Sequence, residues 1–349
     1  MKRRHFIASI AALSMARSLL AAAKASHSSI AICTFSCNLQ WQAVRNKQVG
    51  MVFENASSFF DYARTLGASG VQTSFKELDS QARRNLRDKS EREGAHLEGD
   101  IRLPKTELEL AEFEREVQST CETGAQIART VLMGGRRYET FRTRSDFDEF
   151  YKQAKQRFEW VEPILKKHRL KLAFENHKDL TLVEQIALVK QISSEWIGVL
   201  VDTGNNLALL DEPYDVIEQL APYAFSVHLK DMAVQSDPNG FLLSEVPCGT
   251  GFLDLQRMIA VLLKANPDIV FNLEMATRDP LQIPCLTDDY WTTFPDRRST
   301  HLETAMKLVA QNPIKQPPPS IIGKSVDRQL AEEEANNRDS LAWMREQFG

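Results

Sequence analysis

Four residues of this 349-residue chain combine the chemistry of metal ligands with a regular spacing. Glu175, Asp202, His228 and Glu274 each stand in or directly after an apolar run: Leu172-Ala173-Phe174-Glu175, Val199-Leu200-Val201-Asp202, Ser226-Val227-His228 and Asn272-Leu273-Glu274. A carboxylate in such a place is costly to bury unless it is paired or bound to a metal. One glutamate of this kind alone reads as a salt-bridge partner, and one histidine as a hydrogen-bonded core residue. Four of them are 27, 26 and 46 residues apart, close to one strand-plus-helix unit each, with an insertion before the last. Neighbouring strands lie roughly 4.8 Å apart, so four consecutive strand ends can converge on one ion. Three carboxylates and an imidazole suit a hard to borderline divalent ion. Mn²⁺ is the expected metal, with Mg²⁺, Co²⁺ or Zn²⁺ as substitutes.

Such a site needs a fold that brings strand ends together. From residue 28 onward, short β-rich runs alternate with longer amphipathic stretches. Strands are expected at 29–34, 70–74, 96–103, 130–133, 171–174, 197–201, 225–229 and 269–273. Helical periodicity follows at 108–123, 147–168, 182–192, 214–220, 255–264 and 299–310. Strand-helix alternation implies parallel pairing, and eight units over this length fit a (β/α)₈ TIM barrel. A doubly wound open sheet is the competing fold, but no Gly-rich phosphate loop follows the first strand. In a barrel the chemistry sits at the carboxyl ends of the strands, where all four candidates lie. The expected organisation is a leader over 1–25, a barrel domain over 26–312 and a C-terminal extension over 313–349. That extension has a Pro-rich linker, Pro313 to Ser320, and a charged helix over 325–348. The helix packs either on the barrel wall or on a second copy of the chain in a homo-oligomer.

The motifs Phe174-Glu175-Asn176-His177, Val201-Asp202-Thr203-Gly204-Asn205, His228-Leu229-Lys230-Asp231 and Leu273-Glu274 resemble those of the xylose-isomerase-like sugar isomerase/epimerase barrels. The resemblance runs through all eight units, roughly 28–312, and is most specific over 172–276. It implies one divalent metal on Glu175, Asp202, His228 and Glu274, and a small sugar or keto-sugar as substrate. It also implies that Glu175 and Glu274 face each other across the substrate as proton-transfer groups. The chemistry is consistent: a metal chelating a carbonyl and its neighbouring hydroxyl stabilises an enediolate while one carboxylate removes the adjacent proton. Returning it to the opposite face makes an epimerase; protonating a leaving hydroxyl or glycoside oxygen makes a dehydratase or lyase.

One position departs from the family. Asn205 stands three residues after Asp202, where a histidine is common, and an amide cannot shuttle a proton near neutral pH. His177 is a candidate replacement, with a loop or supporting role as its alternative. Lys230 and Asp231 form a local pair or touch substrate oxygens. Arg278 is a candidate for a substrate hydroxyl or carboxylate. His96 and Glu98 point to one face of a strand and read as structural polar packing. The long segment 276–295, with Tyr290, Trp291 and Phe294, has the length of a lid. Gly249-Thr250-Gly251 reads as a tight turn before a helix, or as an anion-binding loop.

Composition narrows the partners. The 43 basic and 47 acidic residues give a net charge of −4, with 43% hydrophobic and 26% charged residues, so disordered and multi-span membrane classes are excluded. Residues 1–25 hold Lys2, Arg3, Arg4, Arg17 and Lys24 and no acid, which leaves a net of −9 for the remainder. Arg3-Arg4-His5-Phe6-Ile7 and the small-x-small site Ala23-Lys24-Ala25 resemble a twin-arginine export signal. The twin-arginine translocase and a periplasmic or secreted address are therefore expected. Export favours free sugars, inositols or keto-glycosides over sugar phosphates. A nuclease on the same barrel would need more histidines and a basic surface; seven histidines and −9 oppose it, so no nucleic-acid partner is expected. Five cysteines form neither a disulfide framework nor a zinc pattern. A non-catalytic sugar-binding barrel is the remote alternative, since binding alone does not require two opposed glutamates.

Overall fold

The computed structural model describes residues 30–48, 51–314 and 316–348. The expected leader lies outside the described residues. Eight parallel strands close into a barrel: β1 (Ile30–Cys33), β2 (Gly70–Thr73), β3 (His96–Asp100), β4 (Ile127–Thr130), β5 (Lys171–Glu175), β6 (Ile197–Asp202), β7 (Ala224–Leu229) and β10 (Phe271–Leu273), with β10 pairing back onto β1. The barrel class read from alternation is the fold observed. Most of its strand residues are buried, all of them in Ile197-Gly198-Val199-Leu200-Val201-Asp202, because a parallel sheet covered by helices has no wet face.

Helices α1 (Asn38–Arg45), α2 (Ala56–Leu66), α3 (Ser80–Glu93), α4 (Leu110–Glu122), α5 (Arg137–Thr140), α6 (Arg144–His168), α7 (Leu182–Ile192), α8 (Pro213–Leu220), α9 (Leu255–Ala265), α10 (Arg298–Gln311) and α11 (Val326–Phe348) complete the described helices. The bounds of α7 match the expectation because Thr181 and Glu184 form a capping box at its start. β4 differs: it runs over Ile127–Thr130, three residues before the expected 130–133. Arg129 interrupts its apolar pattern, and that arginine is accommodated by ion pairs to the two flanking strands, with Asp100 on β3 and Glu175 on β5.

The insertion before the eighth barrel strand is an antiparallel hairpin, β8 (Asp231–Asp237) and β9 (Gly240–Val246), joined by β11 (Leu281–Ile283) in a three-stranded sheet. α10 packs against β8. The wall between β10 and α2 is closed instead by α11, which buries Leu341, Met344 and Phe348 and stacks Phe348 at 4.8 Å from Phe271. Glu333 of α11 accepts the Leu39 and Gln40 amides at 2.7 and 3.0 Å, capping α1, whose own N-terminal residue Cys37 supplies no side-chain cap. Asn337 donates to the Ser36 carbonyl at 2.8 Å. The Ser36 hydroxyl donates to Leu273 O and accepts from Met275 N, both at 2.8 Å. The C-terminal helix thus supports the backbone on both sides of Glu274. Among the described residues, no helix is long and apolar enough to cross a membrane.

Candidate metal centre

Strand register sets the geometry. Asp202 on β6 pairs with His228 on β7, which pairs with Asn272 on β10. Glu175 ends β5, and Glu274 follows β10 by one residue. One ligand atom from each of Glu175, Asp202, His228 and Glu274 lies within 4.8 Å of the others, and all four residues are buried. His228 Nδ1 is 3.6 Å from Glu175 Oε2, 3.5 Å from Glu274 Oε2 and 3.9 Å from Asp202 Oδ2. The four residues expected to meet do meet.

His228 Nδ1 is buried without a hydrogen bond. Its other nitrogen, Nε2, lies 2.6 Å from Gln72 Oε1. Gln72 turns its amide nitrogen to Glu98 Oε2 at 2.7 Å, so its oxygen must face the imidazole and Nε2 carries the proton. Nδ1, the nitrogen left for a cation, then faces three carboxylates. That donor set, one nitrogen and three carboxylates aimed at one point, fits a divalent cation. Cys33 Sγ is also near His228 and Glu274, but burial pushes its thiol well up and it remains protonated.

Each carboxylate is held separately. Asp202 Oδ1 accepts the Gly204 and Asn205 amides at 2.8 and 2.7 Å. Glu175 Oε2 receives Arg129 Nε at 2.8 Å and Nη2 at 2.6 Å, and Oε1 accepts Asn205 Nδ2 at 2.7 Å. Burial is the largest influence and opposes its charge, yet the Arg129 guanidinium, joined by His228 and His177, brings the carboxyl down to about 2. Arg129 also bonds Asp100 at 3.1 Å. Glu274 is ion-paired with Lys230, whose Nζ lies 2.8 Å from Asp202 Oδ2.

The remaining expected residues divide. Asn205 and Lys230 lie in the centre. Lys230 pairs with Asp202 and Glu274, not with Asp231. Asp231 instead accepts the Gly249 and Gly251 amides at 2.9 and 2.8 Å, so the anion in that glycine turn is the chain's own. His177 is next to the site, with Nδ1 unpartnered; burial and then Lys178 push it down to about 3, so it is neutral. Arg278 is engaged by Glu245 on β9, with Nε 3.0 Å from Oε2. His96 Nε2 meets Glu98 Oε1 at 3.0 Å inside the barrel, the structural packing expected. The segment with Tyr290, Trp291 and Phe294 is packed down: Tyr290 donates to Ala208 O at 2.8 Å, and Arg137 stacks 4.6 Å from the Phe294 ring.

Gln72, Arg129, Lys178 and Glu245 escaped sequence reasoning. Lys178 stands three residues after Glu175, on the same strand-end loop, and that proximity was a usable signal. Arg129 and Gln72 carried none, because their partners are 46 and 156 residues away.

The fold and site together define a class. Residues 60–293 match the xylose isomerase-like TIM barrel family, and the chain belongs to that family. It is 27% identical over 136 residues to 3-oxo-isoapionate decarboxylase of Pectobacterium atrosepticum, covering 38% of this chain and 50% of that one. The chain spans about half the length of the curated relatives it matches. Among solved structures, D-psicose 3-epimerase in the presence of D-fructose superimposes with a TM-score of 0.58 at 14% identity, covering 92% of this chain and 99% of that one. The 3-keto-D-glucoside 4-epimerase YcjR of E. coli gives 0.53 at 13% identity, over 75% and 97%.

Proposed function

We propose that this chain is a divalent-metal-dependent sugar isomerase or epimerase in which Glu175 and Glu274 move a proton beside a carbonyl. The observation that carries this reading is the convergence of Glu175, Asp202, His228 and Glu274, with both glutamates within 3.6 Å of His228 Nδ1. A divalent ion held by these four supplies a Lewis acid for a carbonyl and its neighbouring hydroxyl. The chain's own residues do the rest. Arg129 and Asn205 fix the Glu175 carboxylate and keep it ionised, ready to accept a proton. Ser36 fixes the backbone flanking Glu274, so the second carboxylate approaches from a set direction. Lys230 lies beside Glu274 and Asp202, where developing negative charge is stabilised. Mn²⁺ is the metal proposed.

A second reading is a dehydratase or lyase on keto-sugars at the same centre. It is supported by Asn205 in place of a titrating histidine and by the decarboxylase relative. Export through the twin-arginine translocase to the periplasm belongs to the same proposal and rests on residues 1–25 alone; it is tested by fractionating cells for the mature chain.

The Mn²⁺-loaded protein is incubated with ketoses and 3-keto-glycosides in D₂O and followed by NMR. Deuterium at one carbon with inverted configuration identifies an epimerase; loss of water or aglycone identifies the lyase reading. Exchange no faster than in Glu175→Gln, across both substrate classes, contradicts both.

A further inference from the structure

We propose that Lys178 binds an anionic oxygen of the substrate at the reaction centre, and that the substrate is a keto-sugar bearing a carboxylate. The inference rests on the metal-centre reading above and names the substrate class that this centre takes.

Four cationic side chains surround the site, and three have their acids. Arg129 has Glu175 and Asp100, Arg278 has Glu245, and Lys230 has Asp202 and Glu274. Lys178 has none: it is 4% exposed, and the one hydrogen-bond partner of its ammonium among the described residues is Asn205 Oδ1. Lys230 Nζ lies 3.3 Å from that same oxygen. Two ammonium groups therefore converge on one neutral amide oxygen. An ammonium has three donors, and a buried charge without a counter-ion costs several kcal/mol. An arriving anion relieves both the desolvation and the repulsion between the two lysines.

The position of that anion follows from Asn205. Its oxygen faces the lysines while its Nδ2 donates to Glu175 Oε1 at 2.7 Å. The anion bound by Lys178 is then one amide away from a proton-transfer carboxylate, close to the reacting carbons rather than at a remote end of the sugar. This gives Asn205 a purpose that a histidine could not serve. One neutral imidazole has a single acceptor, which cannot take two lysines while the ring also donates to Glu175 in the same arrangement.

A carboxylate fits better than a phosphate. Phosphate sites usually gather several donors, from backbone amides at a helix start or from guanidinium forks, with lysine adding a point charge. Here the glycine-turn amides before α9 are taken by Asp231, and the forks of Arg129 and Arg278 are taken by Glu175 and Glu245. Lys178 offers one ammonium, which suits one carboxylate oxygen.

Calorimetry on the Mn²⁺-loaded full chain with D-gluconate, D-glucitol and inorganic phosphate tests this. Wild type is expected to bind gluconate at least about tenfold tighter than glucitol, a difference of roughly 1.4 kcal/mol. Lys178→Met and Lys178→Gln are expected to weaken gluconate alone and bring the two within about twofold, while Lys178→Arg keeps the preference. Equal affinities in wild type, a preference that survives in both uncharged variants, or phosphate binding tighter than gluconate overturns the proposal. Bound Mn²⁺ is measured on the same samples. Full metal with no gluconate preference sinks the Lys178 assignment alone, whereas failure to bind metal sinks the reading beneath it.

Discussion

Gln72 Oε1 sits 2.6 Å from His228 Nε2, and this contact decides which imidazole nitrogen faces the carboxylates. Gln72 is itself fixed by Glu98, which also accepts from Ser226 and Asn272 at 2.8 and 3.1 Å. Strands β2, β3, β7 and β10 thus share one buried polar network under the candidate ligands. Supporting bonds of this kind typically change metal affinity by 10–100-fold when lost.

Replacing Gln72 with Leu removes the acceptor and leaves the imidazole free to turn or change tautomer. The Mn²⁺ affinity of Gln72→Leu, measured by chelator competition, is expected to fall by about tenfold or more. An affinity within twofold of wild type would show that the contact does not orient His228.

Arg129 is a charge partner that a bound divalent ion can partly replace. In the metal-free protein, Arg129→Met leaves Glu175 buried beside Glu274 without its guanidinium, a loss of about 3–5 kcal/mol for a broken buried pair. Mn²⁺ held at the proposed centre would bind the same carboxylates and stabilise the folded state. The drop in thermal midpoint is expected to be clearly smaller with Mn²⁺ than without it. An equal drop in both conditions contradicts the placement of the ion at Glu175.

Glu333 gives the fold a pH dependence of known sign. Burial raises its carboxyl from 4.5 to about 8, against the pull of the Leu39 and Gln40 amides. The folded chain keeps that proton where the unfolded chain releases it. The contribution is therefore full below about 4.5 and is lost as pH rises through about 8. Wild type should lose thermal stability between pH 5 and pH 8 faster than Glu333→Gln, compared by calorimetry. Parallel pH profiles would remove Glu333 as the cause.

α11 is expected to behave as part of the barrel wall. Leu341 is fully buried in it, so Leu341→Ala should cost about 2–5 kcal/mol in denaturant unfolding. A single cooperative transition at lower denaturant is the expected form. A separate early transition, with the barrel midpoint unchanged, would make the helix an independent appendage.

Much of this architecture was legible in the sequence because strand-helix alternation and four ligand-type residues at strand ends are local patterns. Thr181 and Glu184 announced the start of α7, and the runs before Glu175 and Asp202 announced β5 and β6. The hairpin β8–β9 was also announced, by Asp237-Pro238-Asn239-Gly240 between two apolar runs, since Asn-Gly is a strong hairpin signal. It registered only as an insertion. β4 was displaced because Arg129 broke its apolar pattern, while Val131-Leu132-Met133 beyond it reads as a strand on composition. What sequence could not convey was pairing at a distance: Arg129 with Glu175, Gln72 with His228, Glu333 with the start of α1. Arg129 and Glu175 meet across the β4–β5 ladder, Gln72 and His228 across the barrel interior, and Glu333 and α1 through docking of the C-terminal helix, and none of these pairings leaves a local pattern.

The central claim is that Glu175, Asp202, His228 and Glu274 form one divalent-metal centre. Metal analysis of the full chain after Mn²⁺ loading and gel filtration tests it most directly. The account predicts about one ion per chain in wild type. It predicts near-complete loss in Asp202→Ala and His228→Ala, with their circular dichroism unchanged. Wild type that retains no metal, or variants that keep the full complement, would contradict it.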